Sequence, residues 1–581
     1  MGEWKSGKRR LNPAKNPAVL DTLTWDASSF IRTVSSQLHG FWEKVHVAIR
    51  SGRPAPSSPT LKVHDHSAGH LGNRSFVLTE HEDGQHGLVE FVKNRCTAIE
   101  AKPLVQIALS DGTTVSFHQA NSKNLQQAYH MAAPGKLPQA LRLVPRLGIG
   151  TRMSKSVWPG IWQALGECSF SANGIQNSVR ELNLLENIQK GNAAQKLYYP
   201  GIGFVPEGHT GSTFEGLWLC GVSEALKAGV TQRYGADADH IMVKRGRDGL
   251  DGAKKVLMAA RYYSFFTIDV SDILDYSAFR GGSAAAGPTE VFSRCIGDEK
   301  IRKDVLSYYR KPLRIGGRSM KLHESELAGV IGKYWLAVEA LDNLVAFITT
   351  MRDNEPFDLE LSIDEHPPEI NPFDCLTTEV EVAFLLEESR RRGLPLTHLA
   401  PNLGVEKHFD YRYQDGLDGL EVRIRALHRL VQEEGVVIDC HSGDDLSEAT
   451  RQALKRATGG IIHFKISPYL QTLFADVLYD FDGEFFKIWW DDTCEFAHEN
   501  AREGSTIAAE CLKRYESEPG ASPHPKFNLF RLFCYATVGK RDAEGNFIYR
   551  ERFYSLSPDF HAEYTRRVKS YLCMLARDLL P

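Results

Sequence analysis

Residues 434–469, EGVVIDCHSGDDLSEATRQALKRATGGIIHFKISPY, read as strand, polar turn, helix and strand. Gly435–His441 is a β-branched run ending in polar residues. Ser447 is placed to cap a helix with Leu446, Ala449, Ala453, Leu454 and Ala457 on one face, and Gly459-Gly460 stops it. Ile461–Ser467 follows as a second short buried strand. Such a strand–helix–strand unit makes its strands parallel neighbours, so His441 and His463 are expected to face one site. Asp439, Asp444 and Asp445 surround the first histidine, and Lys465 shares a strand face with the second. One buried histidine is ordinary core; a polar cluster at the ends of apolar strands is costly to bury without a role.

The same texture recurs outward from this unit. Short apolar runs ending in polar residues occur at 167–178, 238–245, 264–272, 358–365, 396–403, 435–443, 461–468 and 530–539. Most are followed by a helical pattern. Eight such strands predict an α/β fold of the (β/α)8 barrel type over residues 141–581. A doubly wound open sheet is the alternative, but no GxGxxG follows a first strand, and Gly148-Ile-Gly150 is only a fragment of one. Two insertions are expected. Residues 276–357, between the third and fourth runs, hold the loop GGSAAAGP and a helix from Ser325 to Thr349; residues 484–529 separate the last two runs. An amphipathic helix at Pro558–Leu579 closes the fold.

Residues 1–140 read as a smaller N-terminal α/β domain. A basic tail leads to a helix around Ser28–Arg50, the linker SGRPAPSSPT, then β-rich pieces with a hairpin across Asp111-Gly112. His64, Asp65, His66 and His70 resemble a ligand string, but beside the Pro/Ser linker a solvated loop is the preferred expectation.

The totals narrow the function. In 581 residues, 69 basic against 73 acidic side chains leave −4, which offers no footprint for nucleic acid or an anionic membrane. The ten cysteines have no CxxC spacing and suggest neither a zinc ribbon nor a disulfide framework. No apolar run reaches the ~18–20 residues that cross a bilayer. Gly2 and Ser6 match a loose myristoylation pattern, which is short and host-dependent. The expectation is a soluble cytoplasmic protein with a small-molecule substrate; a homo-oligomer is neither demanded nor excluded.

In a barrel the chemistry sits at the carboxyl ends of the strands. Those ends supply Gln176, Lys244, Asp269, Asp364, Glu365, Asp439, His441, His463 and Lys465. Two imidazoles and two carboxylates suit a divalent cation such as Zn, Mn, Co or Ni. The expected ligands are Asp269, Glu365, His441 and His463, with Asp364 competing for the place of Glu365 because neighbouring strand residues face opposite ways. The bland alternative for each carboxylate is a helix cap or a salt bridge with Lys244 or Lys465.

The barrel portion resembles the tagaturonate epimerase family of metal-dependent sugar-acid epimerases. The resemblance is carried by IQNSVRE (175–181), GADADHI (235–241), FFTIDVSD (265–272), LSIDE (361–365), EESRRRG (387–393), IDCHSGDD (438–445) and ATGGIIHFK (457–465), in family order. It implies inversion of one hydroxyl-bearing carbon β to a ketone, a position the carbonyl does not acidify. Retro-aldol cleavage, rotation of the aldehyde and re-addition is the economical route. A metal would stabilise the enediolate, and Glu365, Asp269 or Asp364 would shuttle the hydroxyl proton. Lys465, Lys244 or Arg180 would neutralise the substrate carboxylate or an oxyanion, with Glu365, Asp269 and Lys465 as the catalytic set. Gln176, Arg180, Lys244, Ser442 and Asp445 form the expected substrate-binding set; Arg180 reads equally well as a solvated helix residue. Departures stand at 150–160 (GTRMSKSVWPG), at ISPYLQT after His463, and at Tyr535, where the family has His. They fit an altered choice of substrate.

Overall fold

The structure, a computed structural model, describes residues 4–6, 9–11, 27–93, 97–192, 194–199, 203–246, 248–278, 287–366, 370–407 and 409–581. Gly2 of the acylation pattern and residues 281–286 of the Gly/Ala-rich loop lie outside the described residues.

Eight parallel strands close a barrel: β1 (Arg146–Gly150), β2 (Ser171–Ser178), β3 (Tyr234–Met242), β4 (Phe265–Asp269), β5 (Asp358–Ser362), β6 (His398–Ala400), β7 (Val437–Cys440) and β8 (Ile462–Ile466). The closing seam pairs His463 with Arg146 and Ile466 with Ile149. The β7–helix–β8 unit forms as its pattern predicts. Ser447 Oγ accepts from the Thr450 amide at the start of helix Glu448–Thr458, and Gly459 ends it at φ +61°. Ala453, Leu454 and Ala457 are buried along it; Ala449, expected on the same face, is exposed, and Leu446 is buried just ahead of the helix.

One strand is misplaced by sequence. The run at 530–539 is not the eighth strand but a helical segment, Asn528–Phe533 followed by a 3-10 turn Cys534–Thr537. Its aromatics pack as helix residues, Phe530 against Trp489 and Trp490 at ring distances of 5.2 and 5.7 Å. Short apolar runs look alike as strand or helix, and tertiary packing decides between them. The true first strand is Arg146–Gly150, whose glycine pair masked it as a loop fragment. His441 and His463 therefore follow or lie on β7 and β8. The 276–357 insertion lies between β4 and β5, with the helix running Glu324–Met351; residues 484–529 follow β8 as helices Gly483–Arg502 and Thr506–Ser517.

The N-terminal domain is a five-stranded antiparallel sheet in the order Leu61–Leu71, Arg74–His81, His86–Lys93, Thr113–Gln119, Val105–Ala108. Alternation sorts its faces. Val77, Val89 and Phe117 pack on Phe30 and Trp42 of helices Ser28–Ser36 and His39–Arg50, while Phe76, Leu78 and Leu88 join the barrel's core. The expected single helix at 28–50 is thus two, and the hairpin across Asp111-Gly112 is present, with Gly112 at φ +80°. His64, Asp65, His66 and His70 are strand residues rather than a loop. His64 Nε2 lies 2.9 Å from Glu80, and Lys227 of helix Phe214–Ala228 reaches the same carboxylate at 3.4 Å. These side chains knit sheet to barrel.

Helix Pro558–Leu579 forms as expected and lies beside helix Trp158–Cys168, to which a disulfide between Cys168 and Cys573 joins it. Cysteine spacing alone did not reveal that pair, since 405 residues separate its members. Among the described residues no helix is long and apolar enough to cross a membrane.

Candidate active site

A cavity of about 110 Å³ opens at the carboxyl ends of the strands, with Lys465 in its lining. Lys465 reaches the interior because Gly148, on the adjacent β1, has no side chain: a Cβ there would stand 2.7 Å from the lysine Cγ and 2.8 Å from His463 Nε2. Its ammonium lies 2.7 Å from Glu360, 2.9 Å from Asp239, 3.2 Å from Asp237 and 3.6 Å from Asp439. Burial alone would discharge this lysine; the carboxylates outweigh it and hold its pKa well above the usual value. Burial likewise raises Asp237, against the pull of Lys465.

Above Lys465 the third strand departs from regular geometry. Its register with β4 shifts between Ala238 and Ile241, and His240 takes a left-handed φ of +53°. In a regular strand Asp239 and His240 would point to opposite faces; the bulge lets both serve the cavity. Asp239 turns to Lys465, while His240 Nδ1 lies 3.1 Å from Asp269 Oδ2. Arg180 bridges the mouth, donating to both oxygens of Glu365 at 3.0 and 2.7 Å and standing 3.8 Å from Asp269. Burial opposes ionisation of Glu365, but Arg180 wins and brings its pKa down to about 2. His441 is held between two acids, Nδ1 3.1 Å from Asp364 and Nε2 2.8 Å from Glu360. Despite burial, these acids hold its pKa well above the ordinary imidazole value.

The structure regroups the expected metal ligands. Asp269 and Glu365 share a cluster with His240, and His441 with Glu360 and Asp439, the ligand atoms of each group lying within 4.8 Å of one another. His463 joins neither. Its ring is fully buried, with Nδ1 2.6 Å from Asp439 and the ring edge-on to Phe265 and His398; burial first, then Lys465 and Arg146, holds it neutral. Strand adjacency was right, but His463 lies within β8 whereas His441 follows the end of β7. Asp364 binds His441 rather than replacing Glu365. Lys244 is exposed and absent from the cavity lining, whereas Gln176, Arg180, Ser442 and Asp445 all line it. His240, Asp239 and Glu360 escaped sequence reading: the Asp-His pair in GADADHI was visible, but the bulge that makes it useful was not.

Seven carboxylates thus converge, from Asp237, Asp239, Asp269, Glu360, Asp364, Glu365 and Asp439. Against them stand Lys465, Arg180 and, at the rim, Lys407 at 3.9 Å from Glu365. This excess of negative charge beside imidazole suits a divalent cation. Lys465 already occupies the deeper group as its counter-ion, whereas the His240, Asp269 and Glu365 group is open to the cavity through His240 and Glu365.

The opposite wall has another character. Arg152, following β1, pairs with Glu181 at 2.5 Å and lies over the Tyr535 ring at 5.2 Å, which also meets His209 edge-on at 5.0 Å. Burial, then Arg152, lowers His209 to about 3. Arg152 Nε, Glu181 Oε2 and Tyr535 Oη are buried without a hydrogen-bond partner among the described residues.

Known proteins share this arrangement at the level of fold. Three crystal structures of the fructuronate-tagaturonate epimerase UxaE from Cohnella laeviribosi superpose with TM-scores of 0.61 (native, 17% identity), 0.61 (one glycerol, 16%) and 0.62 (two glycerols, 17%). Each alignment covers 93% of this chain and 99% of the other. No curated protein matches the chain. The profile of the tagaturonate epimerase family, UxaE, matches residues 208–511, which include β3 to β8 with His240, Asp269, Glu365 and His441. With more than half its length so matched, the chain belongs to the tagaturonate epimerase family and is an isomerase that epimerises a sugar acid.

Proposed function

We propose that the protein interconverts tagaturonate-like and fructuronate-like keto-uronates by retro-aldol cleavage and re-addition at this cavity, with a divalent cation (Zn, Mn, Co or Ni) held by His240, Asp269 and Glu365. The observation that carries the proposal is the gathering of seven carboxylates around two imidazoles, with too few fixed cations to balance them, at the open end of the barrel. When bound, the cation supplies Lewis acidity to the ketone and the neighbouring hydroxyl oxygen. Arg180 fixes both oxygens of Glu365 and so sets the direction from which that carboxylate faces the cavity. Clamped in this way Glu365 is a weak base.

Proton traffic falls to His441. Asp364 faces its Nδ1 as an ion pair at 3.1 Å, and Glu360 shares the proton at Nε2 across 2.8 Å. Burial raises the pKa of Glu360, so the Glu360–His441 pair as a unit can take up the proton leaving the substrate hydroxyl. As that proton leaves, the bond between the α and β carbons breaks, and the aldehyde fragment turns before the bond reforms on its other face. Returning the proton from that pair completes the inversion. Lys465 is already bound by protein carboxylates and stabilises them in position.

Incubating the metal-replete protein with tagaturonate in D₂O, followed by proton NMR, tests the proposal. The expected result is fructuronate with the inverted carbon still carrying protium, abolished by a chelator and restored by one of the four cations. Deuterium at that carbon, carbonyl migration, or no turnover of either keto-uronate by metal-replete protein would overturn it.

A further inference from the structure

The cavity's cations are unequally committed. Lys465 is bound by Glu360 and Asp239, Arg180 and Lys407 face Glu365, and Arg152 is paired with Glu181. Arg531, on the segment following the barrel, also lines the cavity; it is exposed and forms no ion pair with a carboxylate among the described residues, its charge acting through space on Asp476 and Tyr469. A sugar acid entering here brings a carboxylate of its own. The seven carboxylates around Lys465 and His240 repel that end, and a guanidinium already neutralised by a protein acid has little left to offer it. The uncommitted guanidinium is where a planar bidentate anion gains most.

Beside Arg531, four residues further along the same segment, Tyr535 stands between Arg152 and His209. The unpartnered Tyr535 Oη, Arg152 Nε and Glu181 Oε2 offer one amphoteric group, one donor and one acceptor. That mixture matches hydroxyls rather than a second anion. Resting on the epimerase reading above, we infer that Arg531 binds the substrate carboxylate and that Tyr535 and the Arg152–Glu181 pair select the hydroxyl pattern beside it. The helical segment after the barrel, not a barrel strand, then determines which sugar acid is accepted.

Arg531→Gln, at an exposed position, tests this without threatening the fold. With tagaturonate its KM is expected to rise roughly 10- to 100-fold, the cost of one charge-assisted contact, while kcat changes little and Arg531→Lys recovers part of the loss. Discrimination between tagaturonate and its uncharged counterpart tagatose should fall by the same factor. An unchanged KM in Arg531→Gln alongside normal wild-type turnover would overturn the inference alone. Absence of wild-type turnover would instead sink the epimerase reading. In that event, calorimetric binding of galactonate against galactitol still decides: Arg531→Gln should weaken the acid and spare the alditol, and equal effects on both refute the role of Arg531.

Discussion

At His240 the backbone adopts φ +53°, a conformation that costs a residue bearing Cβ about 1–2 kcal/mol. What the distortion achieves is two adjacent side chains, Asp239 and His240, serving one cavity from a single strand. His240→Gln should lower the metal retained per chain after dialysis, with affinity falling at or beyond the roughly 100-fold reached by removing an outer partner of a metal ligand. Undiminished metal content would place the cation elsewhere, for instance among Glu360, Asp439 and His441. Which residues gather at the cavity was partly legible beforehand. Asp269, Glu365 and His441 ended strands in an alternating pattern and were visible; Arg180 meets its acid only across the mouth, 185 positions away, where helical spacing carries no information. His463 stands apart from both ligand groups because consecutive strands place residues side by side without fixing their depth.

Among the elements, β-runs joined by capped helices were readable wherever local chemistry dictated them, as at Ser447 and Gly459. Arg146–Gly150 was not, because its glycines exist to admit Lys465 and Ser467 from β8 and the residue after it rather than to suit a strand. Nor was the helical state of Asn528–Phe533, which depends on Trp489 and Trp490 from a distant helix. The pairing of helix Trp158–Cys168 with helix Pro558–Leu579 makes an element-scale prediction. Their disulfide spans 405 residues, so Cys573→Ser should cost about 2–5 kcal/mol, most of it by freeing the unfolded chain. Denaturation with and without dithiothreitol checks this: the reductant should weaken the wild type toward the variant and leave the variant unchanged.

For the molecule as a whole, the contact between the N-terminal sheet and the barrel is a titratable seam. Glu80 gathers His64 at 2.9 Å, Lys227 at 3.4 Å and His86 at 3.7 Å. Burial, then Lys227, brings His86 from 6.5 to about 3. The folded state thus keeps this imidazole neutral where the unfolded chain would protonate it. Its contribution is full above pH 6.5 and is lost as the pH falls from there toward 3. Glu80, held well below the usual carboxylate range despite burial, loses its contribution over a still more acidic interval, in the same direction. Thermal unfolding from pH 7.5 to 4.5 should therefore show a smaller fall in Tm for His86→Gln than for the wild type. Parallel curves would show that the seam does not carry the dependence. Such a seam was beyond sequence reading, because its members lie on three strands and on a helix far from them in the chain.

The order in which the parts occur along the chain has a consequence for biosynthesis. Once β8 has left the ribosome, every strand needed for closure is present, including the partner of β1. Arg531 and Tyr535, however, have yet to be translated, and Cys573 follows later still. A nascent chain at that stage holds the strands that carry the carboxylate cluster but neither Arg531 nor Tyr535, so on the reading proposed above the cation site is made before the part that chooses the sugar.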